Sequence, residues 1–307
     1  MKRENFFTWK GLLLWSNHFY GIAAGLLCIE TTLTLLKKPP SLLLITFIYL
    51  STVVYYTYAY FDEIKTGIYN ERSQWYLQNK KYLKIRQLIL MIICFYLAFF
   101  KLHLIEIFFS LTIGLQLILL ITSLLALLYY YPIFLLKNIQ LRNKGFLKSI
   151  SIAWVWLVVT CILPIFVLTN EQSNFNPIHY ATILYLLQQF LFIFILAILF
   201  DIKDLNRDQD EHVKTVVVEY GIKPAIYKFI IPLLVMYLLV SLFLFFNLMP
   251  PFAYLILPFI IAFLLVQVTY LIQKRTAIHE NILLIDGLII VKAIMGILLY
   301  CAFFGRN

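Results

Sequence analysis

The amino-acid sequence predicts an all-α, polytopic membrane protein with nine transmembrane helices. Hydrophobic residues make up 63% of the 307 residues and charged residues only 13%, and the mean hydropathy of +0.88 lies far above that of soluble domains. Apolar runs of about 20 residues recur along the chain, which is the length that crosses a bilayer as a helix. These runs lack the strict alternation of a membrane β-barrel, so helices must satisfy the backbone groups.

The nine spans are predicted from these apolar runs in chain order. The first run contains the polar residues Asn17 and His18, and the third is interrupted by Lys101, His103 and Glu106, which blurs its end. The spans are expected near residues 11–36, 41–61, 86–105, 109–134, 149–168, 179–200, 226–247, 251–272 and 282–303.

Three charged residues lie inside predicted spans and away from the basic residues near the span ends: Glu30, Asp286 and Lys292. An isolated charge at mid-bilayer costs at least about 2.5 to 3.5 kcal/mol, so each needs a partner. Asp286 and Lys292 are six residues apart, about 600° around a helix, which favours partners on other helices. A structural salt bridge and a role in a substrate pocket both remain open for these residues.

The distribution of basic residues predicts the orientation in the membrane, because Lys and Arg are retained on the cytoplasmic side. With a cytoplasmic amino terminus, 20 of the 25 basic residues fall inside and four outside, and Lys292 lies within the last span. The sequence thus predicts a multi-pass protein of the cell inner (plasma) membrane. The loops 62–85 and 201–225 then form a cytoplasmic polar cap on a single integral membrane domain, residues 1–307.

The stretch 201–215, DIKDLNRDQDEHVKT, gathers five of the 15 acidic residues of the chain. Asp201, Asp204 and Asp208 stand at i, i+3 and i+7, which brings three carboxylates onto one face of a helix. Like charges at this spacing repel each other, and a divalent cation would reverse the sign of that interaction. Magnesium is the natural candidate, because it binds one or two carboxylates together with substrate phosphates. The alternative is a solvated loop face, balanced by its own basic residues.

The segment Phe200 to Thr215 resembles the second aspartate motif of the UbiA-type intramembrane prenyltransferases, and the segment 130–156 is similar to their helix 4–helix 5 connection. The family's first motif, N-x-x-x-D-x-x-x-D, is matched by Tyr58, Asp62 and Thr66, so one aspartate is retained. The segment 70–84 is similar to a bacterial subgroup in which this motif is altered. The resemblance covers essentially the whole chain and implies a UbiA-like bundle of nine helices.

The resemblance implies a magnesium-dependent transfer of an isoprenyl group from a polyprenyl diphosphate to a hydrophobic acceptor, with an aromatic acceptor favoured. Magnesium would polarise the diphosphate as the allylic C–O bond breaks. The implied metal ligands are Asp62, Asp201, Asp204 and Asp208, of which Asp62, Asp204 and Asp208 are also the implied catalytic residues. The implied diphosphate-binding residues are Arg72, Lys203 and Lys137. Tyr55 and Tyr58 are expected in the substrate cavity, with an aromatic belt at the membrane interface as the alternative.

Other classes of function are less consistent with the sequence. It contains no P-loop and no G-x-G-x-x-G or H-E-x-x-H motif, and the membrane topology explains its basic charge without a nucleic-acid partner. A non-catalytic isoprenoid-binding protein or a small-molecule transporter remains the alternative, because the first motif is altered. Gly and Pro are few, however, and the acidic cluster lies at the membrane edge rather than at the midplane site of a transporter.

Overall fold

The computed structural model describes residues 8–63, 71–130, 145–170, 179–210, 213–248, 250–274 and 277–305. The side chains of residues 62, 63, 130 and 170 lie outside this description.

Nine long helices form the bundle within the described ranges. Eight are long and apolar enough to span a membrane, and the remaining one is shorter but also apolar. The predicted all-α, nine-helix architecture is therefore confirmed. In chain order the helices are α1 (His18–Leu36), α2 (Leu42–Glu63), α3 (Lys80–Lys101), α4 (Ile113–Tyr130), α5 (Gly145–Thr169), α6 (Tyr180–Lys203), α7 (Ile222–Leu248), α8 (Ala253–Ile272) and α9 (Ile278–Phe304).

Several predicted boundaries differ from the observed ones by about four residues or more, and the largest differences are at the starts of α1 and α3. Helix α1 begins at His18 rather than near residue 11, because Asn17 adopts a left-handed conformation with φ of 65° and separates α1 from the short helix Lys10–Trp15. Helix α3 begins six residues earlier than predicted, since the basic residues at its start extend the helix beyond the apolar run. It ends at Lys101, and His103, with φ of 47°, starts the separate helix Leu104–Ser110.

Helix α1 lies inside the bundle, where it packs against α2, α5 and α9. Helix α6 packs against α5 and α7, and α8 lies between α7 and α9. The faces of α3, α7 and α8 that point away from the bundle carry large exposed apolar side chains such as Phe95, Phe243 and Phe263. This arrangement is the one expected where lipid, rather than water, surrounds the helices.

The break before α1 ties two other segments to the bundle. The Asn17 amide donates hydrogen bonds to the Thr57 hydroxyl of α2, at 3.0 Å, and to the Tyr76 hydroxyl, at 2.7 Å. Tyr76 belongs to the short helix Glu71–Gln78, which follows α2. The polar residue that interrupts the first apolar run therefore holds the Glu71–Gln78 helix against α1 and α2.

Candidate active site

A cavity of about 330 Å³ opens inside the bundle, which is within the usual range for small-molecule sites. Its wall is formed by side chains of α1, α2, α4, α5, α6 and α9, by Arg72 of the Glu71–Gln78 helix, and by Asp204 and Arg207, which follow α6. Aromatic and aliphatic side chains line most of it. Charged side chains gather toward the end where α6 terminates: Arg72, Lys148, Asp201, Lys203, Asp204, Arg207 and Asp286.

Lys148 of α5 lies between two of the aspartates. Its ammonium group is 2.8 Å from Oδ1 of Asp201 and 2.9 Å from Oδ2 of Asp208, and all three side chains are buried. The Ser149 hydroxyl donates a hydrogen bond of 2.8 Å to Oδ2 of Asp201. Both oxygens of Asp201 and one oxygen of Asp208 are thus engaged by neighbouring residues of α5.

The beginning of α5 is positioned for this contact by Gly145. The residue has φ of 41°, a left-handed conformation that glycine adopts at little cost. Its N–H donates to the Lys214 carbonyl, in the segment that follows the aspartates. This hydrogen bond holds the first turn of α5 against the end of α6, so that Lys148 reaches both Asp201 and Asp208.

Asp204 has a different environment, because it pairs with basic residues of its own segment. Its Oδ2 is 3.0 Å from Nη2 of Arg207, and its Oδ1 is 3.6 Å from the Lys203 ammonium. Burial by itself would raise the pKa of the Asp204 carboxyl. The nearby positive charges, led by Arg207 and then Lys203, outweigh burial and hold this pKa well below its ordinary value, so the group is ionised at neutral pH.

These side chains do not fit the predicted magnesium site. Among the described residues, no group of three acidic, His or Cys side chains is placed to hold a metal ion. The three carboxylates do not face one open position, because Lys148 lies between Asp201 and Asp208 and Asp208 does not line the cavity. The remaining predicted ligand, Asp62, lies outside the described side chains.

Stacked aromatic rings form the wall next to Arg72. The Arg72 guanidinium lies 3.5 Å from the centre of the Tyr60 ring. Tyr20 of α1 and Tyr56 of α2 are parallel, with ring centres 4.3 Å apart. The indole N–H of Trp156 in α5 donates a 2.9 Å hydrogen bond to the Tyr56 hydroxyl. The four aromatic side chains present a continuous π-rich surface close to the charged end.

The structure separates the predicted site residues. Arg72, Lys203 and Tyr55 line the cavity. Tyr58 does not line it and is 43% exposed. The reason is helical phase: Tyr55 and Tyr56 share the cavity face of α2, and Tyr58 is about 200° beyond Tyr56. Lys137, predicted to contact the diphosphate, lies outside the described residues.

Two cavity residues were missed as site residues by the sequence analysis. Lys148 and Arg207 belong to the basic residues assigned to the cytoplasmic side, and neither was predicted as a site residue. Their spacing does carry a signal: Arg207 stands three residues after Asp204, where helical neighbours form ion pairs. Nothing in the sequence connects Lys148 with residues more than 50 positions away, so its role depends on the packing of α5 against α6.

The sequence left two roles open for Glu30, Asp286 and Lys292: a structural salt bridge or a place in a substrate pocket. The structure shows one pair and one cavity residue. Lys292 of α9 forms a buried salt bridge with Glu30 of α1, with an N–O distance of 2.7 Å. The expected partner on another helix is thereby confirmed for this pair. Asp286 instead lines the cavity, and its Oδ2 is buried without a hydrogen-bond partner among the described residues.

Comparisons with known proteins agree on the fold. No protein-family model and no curated protein matches the sequence. Among solved structures, one of a digeranylgeranylglyceryl phosphate synthase has a TM-score of 0.53 and 20% identity, over 96% of this chain and 94% of the other. A UbiA homolog from Archaeoglobus fulgidus bound to DMAPP and Mg²⁺ has a TM-score of 0.56 and 14% identity, over 94% of this chain and 96% of the other.

A further structure of a UbiA homolog from Archaeoglobus fulgidus, bound to Cd²⁺, has a TM-score of 0.53 and 13% identity, over 94% of this chain and 98% of the other. The protein thus has the fold of the UbiA homologs along almost its whole length. The resemblance expected from the sequence is confirmed at the level of the fold.

Proposed function

We propose that this protein, which has the UbiA fold, is an intramembrane prenyltransferase of the UbiA type. It binds a polyprenyl diphosphate in the cavity and transfers the isoprenyl group to a hydrophobic acceptor, with an aromatic acceptor favoured. The observation that carries this proposal is the division of one cavity into a charged end with four basic side chains and an apolar, aromatic remainder. That division suits a substrate with a diphosphate head and a hydrocarbon tail.

In this proposal three basic side chains bind the diphosphate: Arg72, Lys203 and Arg207. Ionised donors form short, strong hydrogen bonds to phosphate oxygens, and Arg adds a planar, bidentate geometry. The same groups stabilise the negative charge that develops on the leaving diphosphate as the allylic C–O bond breaks. Asp204 holds Lys203 and Arg207 near each other before the substrate arrives.

The aromatic wall shields the allylic cation that forms when the diphosphate leaves. Each ring face stabilises a cation by about 0.5 to 2 kcal/mol. Tyr20, Tyr56, Tyr60 and Trp156 offer these faces next to the charged end of the cavity.

Asp286 is assigned to the proton that the acceptor loses. The allylic carbon breaks its bond to the diphosphate oxygen and forms a bond to the acceptor, and the diphosphate leaves with the bonding electron pair. The proton released by the acceptor passes to Oδ2 of Asp286, the buried carboxylate oxygen in the cavity wall that lacks a partner among the described residues. These steps are assigned to the chain's own residues, and the described carboxylates do not form the magnesium site expected from the sequence.

The proposed orientation follows the distribution of basic residues. The protein lies in the inner (plasma) membrane with its amino terminus in the cytoplasm, so that the charged end of the cavity faces the cytoplasm. The loops 62–85 and 201–225 cap this end of a single domain, residues 1–307. A soluble diphosphate head is then bound at the aqueous side while the tail remains within the bilayer.

A second candidate function is non-catalytic binding or transport of an isoprenoid. The altered first motif, with Tyr58 and Thr66 in the positions of conserved family residues, favours this alternative. The experiment that separates the two uses purified protein in lipid nanodiscs, radiolabelled geranylgeranyl diphosphate, and a lipid extract of the source membrane as the supply of acceptors. Bound substrate, free diphosphate and prenylated product are measured in the same reaction.

A prenyltransferase is expected to release diphosphate in equal amount to a prenylated lipid. The Asp286→Asn variant is expected to bind the diphosphate normally but to form product at least about 100-fold more slowly, which is the usual contribution of a general base. Binding without product by the unchanged protein would support the non-catalytic alternative. If neither geranylgeranyl diphosphate nor isoprenyl diphosphates of other chain lengths bind, both the enzymatic and the non-catalytic function are contradicted.

A further inference from the structure

The pairing of Lys148 with Asp201 and Asp208 differs from an ordinary helix-to-helix salt bridge. One ammonium group is shared by two carboxylates at distances of 2.8 and 2.9 Å, and the three side chains are between 0% and 8% exposed. Two carboxylates that converge on one point repel each other strongly when they are buried, unless a cation lies between them. Lys148 supplies that cation from α5, at the place where the sequence pattern predicts a divalent metal.

The charges on the cavity side are consistent with anion binding that needs no added metal. Apart from the Lys148–Asp201 pair, the described lining presents three cations, on Arg72, Lys203 and Arg207, and two carboxylates, on Asp204 and Asp286. Lys148 offsets one of the two buried carboxylates beside it, and Lys203 and Arg207 pair with Asp204. The described lining of the cavity therefore keeps one more cation than carboxylates. The three cations line a cavity of about 330 Å³, which is within the usual range for small-molecule sites.

One atom in the cluster indicates what would happen if the lysine were removed. Oδ1 of Asp208 is buried and has no hydrogen-bond partner among the described residues. In the present arrangement the Lys148 ammonium, 2.9 Å from the other oxygen of the same carboxylate, repels any further cation from this place. Without the ammonium, Asp208 and Asp201 would together offer several oxygen ligands of the kind that magnesium prefers.

We propose that Lys148 is a built-in counter-ion that takes the place of a divalent metal between Asp201 and Asp208, so that the site binds an isoprenyl diphosphate without a metal ion. This inference rests on the proposed function for the identity of the anion. The counter-ion role itself does not depend on that function, because it concerns only residues of this chain.

The first experiment measures the affinity of the purified protein for geranylgeranyl diphosphate and for inorganic diphosphate, with either excess EDTA or excess magnesium. The expected dissociation constants in the two conditions agree within about twofold, since the cations that bind the diphosphate belong to the protein. Affinity that falls by about tenfold or more in EDTA would overturn the inference, because that loss corresponds to a metal ion acting as an essential ligand.

The second experiment measures thermal unfolding of the Lys148→Met variant as magnesium is added. Removal of the ammonium leaves two buried carboxylates without a counter-ion, so the variant is expected to unfold at a lower temperature in EDTA and to be stabilised by magnesium. The unchanged protein is expected to show no such stabilisation. A Lys148→Arg variant keeps the positive charge and is expected to behave as the unchanged protein does.

A double variant, Lys148→Met/Asp208→Asn, keeps the inference testable if the single variant does not fold. It removes one carboxylate together with the ammonium, so it is expected to be stable in EDTA and to lose the response to magnesium. Exposed Lys228 of α7 provides the matched control, since Lys228→Met removes a lysine that does not line the cavity. The same response to magnesium in the control, the double variant and the single variant would contradict the counter-ion role.

The two experiments distinguish a failure of the proposed function from a failure of the counter-ion inference. If no diphosphate binds in either condition, the proposed function is wrong, and the unfolding series still decides whether Lys148 replaces a metal. If the diphosphate binds only with magnesium, the function stands and the counter-ion inference is wrong.

Discussion

Two buried lysines of this protein have opposite surroundings although their chemistry is the same. Lys292 pairs with one carboxylate, Glu30, on the neighbouring helix, and neither residue lines the cavity. Lys148 is shared by two carboxylates and lines the charged end of the cavity. The Glu30–Lys292 pair has no net charge and is separated from the cavity, whereas the Lys148 cluster carries one more negative than positive charge and borders the cavity. The number of partners and the access to the cavity separate a structural ion pair from a functional one.

The largest expected effect is the loss of one partner from the Glu30–Lys292 pair. Glu30→Gln leaves the Lys292 ammonium buried without a counter-charge, which costs about 3 to 5 kcal/mol of the free energy of unfolding. The double variant Glu30→Leu/Lys292→Met removes both charges and is expected to recover most of this loss. Thermal unfolding in nanodiscs measures both, and equal instability of the single and double variants would contradict a simple pair.

The same double variant sharpens the contrast with the Lys148 cluster. Because Glu30 and Lys292 do not line the cavity, its affinity for geranylgeranyl diphosphate is expected to stay within about twofold of the unchanged protein. A large loss of affinity would show that the Glu30–Lys292 pair is coupled to the site.

The second prediction concerns the close packing around Glu30. A Cβ atom added at Gly296 would lie 2.8 Å from Cγ and from Oε1 of Glu30. Gly296→Ala is therefore expected to displace Glu30 from Lys292 and to destabilise the protein by about 1 to 3 kcal/mol. Gly287→Ala in the same helix is the control, since a Cβ there meets nothing within 4 Å. Equal unfolding temperatures for the two variants would mean that Glu30 adjusts without losing its partner.

The third prediction concerns the charged end of the cavity. Arg207→Gln keeps a polar side chain but removes a positive charge from the cavity, and it is expected to weaken diphosphate binding about tenfold, or about 1.4 kcal/mol. Lys228→Gln, an exposed charge outside the cavity, serves as the control for net charge. Isothermal titration with geranylgeranyl diphosphate gives both values. Equal losses would indicate that overall charge, rather than the site, attracts the ligand.

The smallest expected effect distinguishes the two faces of α2. Tyr56→Phe removes the acceptor of the Trp156 indole N–H, at a cost of about 1 kcal/mol. Tyr58→Phe alters a side chain that is 43% exposed and does not line the cavity, and it is expected to cost less free energy of unfolding than Tyr56→Phe. Chemical denaturation compares the two variants, and a larger loss at Tyr58 would reverse the assignment of the faces.

Much of the fold could be predicted because membrane burial acts on long, local stretches of sequence. Runs of about 20 apolar residues mark each helix, whichever neighbours it packs against. Two of the boundary errors arose at Asn17 and His103, where single residues in a left-handed conformation end one helix and begin another. A conformation of this kind in a residue other than glycine depends on the surrounding contacts, such as the hydrogen bonds of Asn17 to Thr57 and Tyr76.

The site was only partly predictable for a related reason. The acidic motif predicted a site at the end of α6, and Arg72 and Lys203, which the family resemblance implied as diphosphate-binding residues, line the cavity there. The motif also suggested a metal ion, because carboxylates on one helix face repel each other and require a cation. The spacing along one helix indicates that a cation is required, but it cannot show whether that cation is a metal ion or a side chain of another helix.

The sequence by itself determined that nine apolar helices lie in a membrane and that three aspartates gather where the sixth of them ends. Only the tertiary structure decided that α5 places Lys148 between Asp201 and Asp208, that α9 directs Asp286 to the cavity, and that Lys292 pairs with Glu30. The physical reason is distance along the chain. Hydropathy and helical phase act over one or two turns, whereas the partner of a buried charge is chosen by the packing of helices that are far apart in sequence.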